Sequence, residues 1–186
     1  MTSGGRTAGL VLAAGAGRRF GSPKAPFEVD GVRLVDRAVR LLRGAGCEPL
    51  HVVLGAWVGD VPGATVVVNH GWDEGMGSSL RVGLTSLEPT DADRVLVILV
   101  DLLGLTDAGV ARVAAATSRL AAATYDGNRG HPVVIGREHW AGVAASAQGD
   151  KGARTYLDGH SDELELVEIG DVADGADLDH RPVESA

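Results

Sequence analysis

Short apolar runs of strand length alternate along the chain with stretches whose apolar residues recur every three or four positions. That alternation predicts βαβ units and a largely parallel sheet with helices on both faces. Residues 9–14, 50–54, 65–68, 94–100 and 121–125 are the predicted strands. Residues 131–135 and 164–169 are predicted to add edge or antiparallel strands. Helices are predicted over 34–45, 78–87, 106–117, 137–144 and 151–158. Thr106 followed by Asp107 reads as an N-cap and an acidic first turn, and Ser78 is placed to cap its own helix. No internal repeat is visible. The segment after Gly170 is acidic, contains glycine, and reads most simply as a solvated terminus. At 186 residues, one α/β domain of Rossmann-like type spanning 1–186 is expected, burying about 70% of the surface its unfolded chain exposes.

The first predicted strand ends in the most informative segment. The apolar residues 10–14 run into a turn holding Gly15, Gly17 and Gly21, with Arg18 and Arg19 inside it and Pro23-Lys24 closing it. Glycine lets the main chain approach a ligand and adopt positive φ. Successive backbone N–H groups form an anion nest, and the cations add charge-assisted hydrogen bonds to phosphate. A polyphosphate, and hence a nucleotide, is the expected ligand. The spacing is not that of a dinucleotide fingerprint: Pro23 would fall in the first turns of the following helix, and no acid ends the second strand, where Gly55-Ala56-Trp57 follows. Nor is it a P-loop, because Lys24 lacks the flanking Gly and Ser/Thr. The bland alternative is a flexible Gly/Arg surface turn.

Charge sharpens this picture. The formal net charge is −8, which argues against general nucleic-acid binding. Yet residues 1–46 hold eight basic and three acidic groups, against nine and 22 in the remainder. The local field at the glycine loop therefore favours phosphate in an otherwise acidic protein. Lysine occurs only at Lys24 and Lys151, which hints that a compact point charge is wanted there. Cys47 is the single cysteine, so no disulfide framework is expected; a buried packing role suits it best. No apolar run approaches the ~20 residues of a membrane span, and residues 1–9 lack a signal-like region. A cytoplasmic protein without membrane contact is the expectation.

Several polar residues fall where ligands would sit. Asp101 follows the apolar run ending at Val100, and open parallel sheets bind ligands at the carboxyl ends of their strands. A carboxylate there needs a partner or a cation, and a hard oxygen ligand sharing Mg²⁺ with substrate phosphates fits; a hydrogen-bonded Asp at a strand end is the alternative. Asp177 and Asp179 lie two apart and face the same way if extended, although a disordered acidic tail reads equally well. Ser78 and Ser79 either donate hydroxyl bonds to a phosphate or base at a helix N-terminus or reflect an ordinary cap. Gly130-His131-Pro132 would place an imidazole over an acceptor, without a proton-transfer role. Lys151 and Arg154 fall on one helix face, either holding an acceptor phosphate or simply solvated. Trp57, Trp72 and Trp140 read as packing residues.

Leu12-Ala13-Ala14-Gly15-x-Gly17-x-Arg19-x-Gly21-x-Pro23-Lys24 resembles the signature loop of nucleotidyltransferases that join an NTP to a phosphorylated acceptor. Asn69 through Leu80 (Asn-His-Gly-Trp-Asp-Glu-Gly-Met-Gly-Ser-Ser-Leu), Leu99-Val100-Asp101, Gly130-His131-Pro132-Val133 with Gly149-Asp150-Lys151-Gly152-Ala153-Arg154, and Asp177-Leu178-Asp179 extend the resemblance. Together they are similar to the MobA-like NTP transferases, and within them to the molybdenum-cofactor cytidylyltransferases. The resemblance implies nucleotidyl transfer with Mg²⁺ as cofactor, CTP as donor and molybdopterin as acceptor, with a molybdoenzyme receiving the product as a further partner. Nucleotide contacts are implied at Leu12, Ala13, Ala14, Gly15, Gly17, Arg18, Lys24, Ser78 and Ser79. Arg18, Lys24 and Asp101 would act in catalysis, Asp101 and Asp179 on the metal, and His131, Lys151 and Arg154 on the acceptor. Leu-Ala-Ala-Gly looks like the cytidine-type loop, whereas guanylyl relatives more often read Leu-Ala-Gly-Gly. Two departures stand out: Leu103 replaces the family's Pro after Asp101, and the motif after Asp179 breaks to His180-Arg181-Pro182. Transfer to a sugar or alcohol phosphate is one alternative, and nucleotide binding without turnover by a cofactor chaperone is another, which these departures keep open.

Overall fold

A computed structural model describes residues 5–179. Seven strands form one sheet in the order β5-β4-β1-β6-β8-β7-β9: β1 (Thr7–Leu12), β4 (Leu50–Leu54), β5 (Thr65–Val68), β6 (Arg94–Leu99), β7 (Leu120–Tyr125), β8 (Asn128–Gly136) and β9 (Leu164–Glu168). β2 (Glu28–Val29) and β3 (Val32–Arg33) make a separate hairpin. Its turn is Asp30-Gly31, both at positive φ, as a two-residue hairpin loop requires. The main sheet is parallel apart from β8, which runs antiparallel to β6 and β7.

Alternation of side chains across β1 explains the layered core. Leu10 and Leu12 pack on one face, while Val11 and Ala13 pack on the other. The first face takes α2 (Met76–Leu87) and α4 (Trp140–Ser146), through Leu84 and Trp140. The second takes α1 (Leu34–Gly44) and α3 (Asp107–Ala114), through Leu42 and Val110. A short α5 (Arg154–Gly159) follows. In α1 the buried positions Leu34, Val35, Ala38, Val39, Leu41 and Leu42 give one apolar stripe. Thr106 caps α3, its Oγ1 accepting from Gly109 N at 3.1 Å, with Asp107 in the first turn as expected.

Four expectations need correction. α2 starts at Met76, with Gly75 rather than Ser78 in the cap position and no side-chain cap bond, because the Ser78 hydroxyl is turned onto the preceding loop. Lys151 and Arg154 do not share a helix: Lys151 ends a 3₁₀ turn, Gly152 at φ +52° breaks the chain direction, and α5 begins at Arg154. Residues 137–139 form a 3₁₀ turn before α4 rather than helix. The segment 170–179 is not a solvated tail, since Val172 and Ala173 pack against the core and the backbone is tied down beyond them. The edge and antiparallel roles are also divided: β8 is antiparallel but interior, and β9 is an edge strand but parallel.

The functional consequence lies in register. Leu12 stands opposite Leu99 across β1 and β6, and opposite Val53 across β1 and β4. The glycine loop and Asp101 therefore leave the same edge of the sheet side by side, at the point where the strand order reverses and α/β sheets hold their ligands.

Candidate active site

The segment 12–14 is fixed from both sides. Ala13 N donates to Val53 O at 2.9 Å, Val100 N to Leu12 O at 3.2 Å, and Ala56 N to Ala14 O at 3.0 Å. Beyond it, Gly17 sits at φ +60°, and a Cβ there would lie 2.0 Å from Ser22 O. Only glycine fits. Gly21 N closes the turn on Gly17 O at 2.7 Å, and Phe20, buried edge-on against Phe27 at 4.8 Å, anchors it to the body. At Gly15 the space beside Cα is open, so a ligand can reach the main chain.

This loop forms one wall of a cleft of about 600 Å³. Arg18 and Arg19 stand at its rim, Lys24 and Asp101 lie deeper, and Ser79, Trp72 and Asp150 face them from other segments. Lys24 Nζ donates to Asp101 Oδ2 at 2.7 Å, with the two side chains 14% and 19% exposed. A carboxylate so enclosed requires its cation.

Opposite, Asn69 is a buried hub. Its Nδ2 donates to Ser78 Oγ at 2.8 Å and to Ser79 Oγ at 3.1 Å, and its Oδ1 accepts from Gly71 N at 3.0 Å. Ser78 spends its own proton on Gly71 O and Gly75 O, both at 2.9 Å. It holds the loop together and does not line the cleft, whereas the buried Ser79 does. Gly75 and Gly77 are there because loop 147–150 lies against them: added Cβ atoms would meet Gly149 C at 2.6 Å and Ala147 C at 2.8 Å. The two glycine-bearing motifs are thus halves of one wall, backbone against backbone.

The third component comes from the far end of the described chain. Leu178 N donates to Asp101 O at 3.0 Å, which brings Asp179 to the cleft. Asp179 lines it and lies 3.6 Å from Arg19. The Asp177 carboxyl is raised above its ordinary value, chiefly by burial, with the charges of Asp101 and Asp179 adding and Lys24 opposing. Among the described residues, no three His, Cys, Asp or Glu side chains converge as a self-sufficient metal cage.

The acceptor candidates are less gathered. Burial pushes the His131 imidazole down to about 4, against the pull of Asp101. It is therefore neutral near pH 7. His131, Lys151 and Arg154 are not among the residues lining the cleft; Asp150 is. Trp72 packs against the core as expected and in addition lines the cleft. Sequence reasoning passed over Asp150. It also missed Arg37, whose Nη2 donates to Leu103 O at 2.6 Å and Leu105 O at 2.9 Å, pinning the loop after Asp101. Arg37 lies on the flank of the apolar stripe of α1, beside Leu41, where a polar residue gives no signal of its own. Among the described residues no helix is long and apolar enough to cross a membrane.

Known proteins are similar to this chain in sequence and fold. The model of the MobA-like NTP transferase domain matches residues 9–164. Nicotine blue oxidoreductase of Paenarthrobacter nicotinovorans is 35% identical over 187 residues, covering 92% of this chain and 91% of its own. A probable molybdenum cofactor guanylyltransferase of Opitutus terrae is 50% identical over 46 residues, 25% of this chain and 23% of its own. The solved structure of the Rv0371c homologue from Mycobacterium sp. strain JC1 superposes with a TM-score of 0.79 at 26% identity, covering 94% of this chain and 91% of that one. With a matching family model over most of its length and a glycine loop, strand-end carboxylate and paired lysine on one cleft, the chain belongs to the MobA-like NTP transferase family.

Proposed function

We propose that the chain is a Mg²⁺-dependent nucleotidyltransferase that moves CMP from CTP onto a phosphorylated acceptor, molybdopterin by resemblance. The observation that carries this reading is the Lys24–Asp101 pair beneath the glycine loop, a cation and an anion positioned together on one cleft. An oxygen of the acceptor phosphate attacks the α-phosphorus in line, the bond from that phosphorus to the bridging oxygen breaks, and pyrophosphate leaves with the electron pair. Such transfer depends on positioning and charge neutralisation. The backbone at Gly15–Gly17 cradles the triphosphate, Arg18 and Lys24 neutralise charge on it, and Ser79 offers a hydroxyl to the nucleotide. An ionised acceptor phosphate needs no general base.

The residues present fit a hard divalent cation. Asp101 and Asp179 both open on the cleft that would hold the phosphates, and Mg²⁺ takes one or two carboxylates plus phosphate oxygens rather than a full protein cage. Bound there, it would supply Lewis-acid stabilisation of phosphoryl charge. Pyrophosphate release, measured with each of four NTPs and a panel of phosphorylated acceptors with and without Mg²⁺, tests the proposal. Release that needs both CTP and an acceptor supports it; no release with any pair refutes it.

A second reading follows from the oxidoreductase relative, which matches nearly the whole chain. In it, the same loop and Lys24 would hold the pyrophosphate of a reduced nicotinamide dinucleotide, although the loop lacks the dinucleotide fingerprint spacing. The dinucleotide would supply hydride to a conjugated carbonyl or imine dye while water supplies the proton. Oxidation of the dinucleotide followed at its reduced-form absorbance, with such a dye as acceptor, separates the two readings.

A further inference from the structure

The segment 171–178 crosses the ligand end of the sheet as a strap held at many points. Arg112 grips Asp171 with two bonds of 2.6 and 3.1 Å. Thr106 Oγ1 donates to Val172 O at 2.8 Å while capping α3. Asp174 N donates to Gly104 O at 3.0 Å, and Leu178 N to Asp101 O at 3.0 Å. At two of these crossings the fit leaves no room for a side chain. A Cβ on Gly104 would lie 2.4 Å from Asp174 O, and one on Gly175 would lie 2.6 Å from the Tyr125 ring. Tyr125 is itself fixed, its hydroxyl donating to His131 O at 2.6 Å.

We infer that Gly104 and Tyr125 are positioning residues that form the track for this strap and thereby deliver Asp179 to the cation at the cleft. The inference rests on the reading of Asp179 as a metal ligand given above. Neither residue touches the reacting atoms. Gly104 acts because its bare backbone lets Asp174 approach and bond, and Tyr125 because its ring face admits only glycine at 175. The Leu178–Asp101 backbone bond then sets where residue 179 falls, one residue further on. Both ends of the carboxylate pair are thus referred to one point, the main chain of Asp101, so displacing the strap separates Asp179 from Asp101 and from Arg19 of the glycine loop.

Two variants test this from opposite sides of the contact. Gly104→Ala intrudes from the body and Gly175→Ala from the strap, so the second leaves the sheet and its helices unaltered. Amide exchange over 172–178 and retention of Mn²⁺ in the presence of CTP, read by electron paramagnetic resonance without acceptor, are the two measurements. Exchange at least tenfold faster in both variants, with Mn²⁺ retention weakened as much as in Asp179→Asn and no further in the double variant Gly175→Ala/Asp179→Asn, is the expected result. Tyr125→Phe keeps the ring and should behave as the parent in Mn²⁺ retention. Unchanged exchange in both glycine variants, or unchanged Mn²⁺ retention in them while Asp179→Asn weakens it, overturns the inference and leaves the metal reading standing. Undiminished Mn²⁺ retention in Asp179→Asn, or none in the parent protein, sinks the metal reading, and the positioning role with it.

Discussion

Lys24 Nζ meets Asp101 Oδ2 at 2.7 Å across 77 positions of sequence, on the floor of the cleft. Each group neutralises the other. A polyphosphate would draw the ammonium away and a divalent cation would take the carboxylate, so both ligands gain most by arriving together.

Removing one partner should expose this coupling. Lys24→Ala is expected to lower turnover at least 10²-fold, about 2.7 kcal/mol of barrier, without unfolding the protein. It also leaves Asp101 enclosed and unpaired, which costs stability that neutralising the carboxylate restores. Melting temperatures should rank Lys24→Ala below Lys24→Ala/Asp101→Asn. Near-normal turnover would remove Lys24 from the mechanism; the reverse ranking would remove the electrostatic argument.

Asp101→Asn should abolish the metal-dependent activity while circular dichroism stays that of the parent, since the strand-end position is shaped by backbone bonds the substitution keeps. A variant with an unaltered Mg²⁺ titration would place the ligand elsewhere.

Donor choice is expected to turn on Ala14. Its methyl is buried at the end of β1, and a Cβ added to the neighbouring Gly55 would lie 2.9 Å from it and 2.5 Å from Trp72. The wall is tight enough for one methyl to matter, within the 1–3 kcal/mol such differences bring. Ala14→Gly should raise GTP use relative to CTP about tenfold, or 1.4 kcal/mol. Competition between labelled CTP and GTP decides it: an unchanged ratio, or a parent that prefers GTP, ends the cytidylyl assignment and spares nucleotidyl transfer.

Acid stability should depend on Glu168. Its carboxylate accepts from Thr124 Oγ1 at 2.7 Å and from three backbone N–H groups, of Gly170, Gly127 and Asp126. These bonds, the threonine's foremost, pull its pKa from 4.5 down to about 2. A pKa lowered by folding means that the unfolded chain binds the proton more readily. The stabilisation is therefore complete above about pH 4.5 and lost as pH falls towards 2. Glu168→Gln should melt below the parent at pH 7, with the gap narrowing across that window. A gap independent of pH would show that the bonds, not the charge, are what matters.

Sequence and structure part company where local pattern gives way to long-range contact. The β1 strand, its loop and Asp101 were legible because a buried strand and a glycine turn are written in adjacent residues. Ser78 admits a cap reading and a ligand-contact reading alike, because a serine before an apolar helix looks the same whether its hydroxyl serves the helix, a phosphate or, as here, Gly71 O. The strap was misread because its composition is that of a solvated tail; what holds it is space beside Gly104 and a grip by Arg112, neither visible from within 171–179. Lys151 and Arg154 were joined on one face by counting, and Gly152 at φ +52° undoes the count. The motif continuing at His180 lies outside the described residues.

Cys47, buried between α1 and β4 with its thiol pushed up to about 11 by burial, is the single cysteine of the sequence. Thiol-directed reagents act on the thiolate, so a thiol this buried and this reluctant to ionise reacts far more slowly than an exposed one. Introducing Ala176→Cys at an exposed site on the strap would then create one addressable sulfur. A fluorophore attached there needs no cysteine-free background, and its emission would follow the strap in real time as nucleotide arrives.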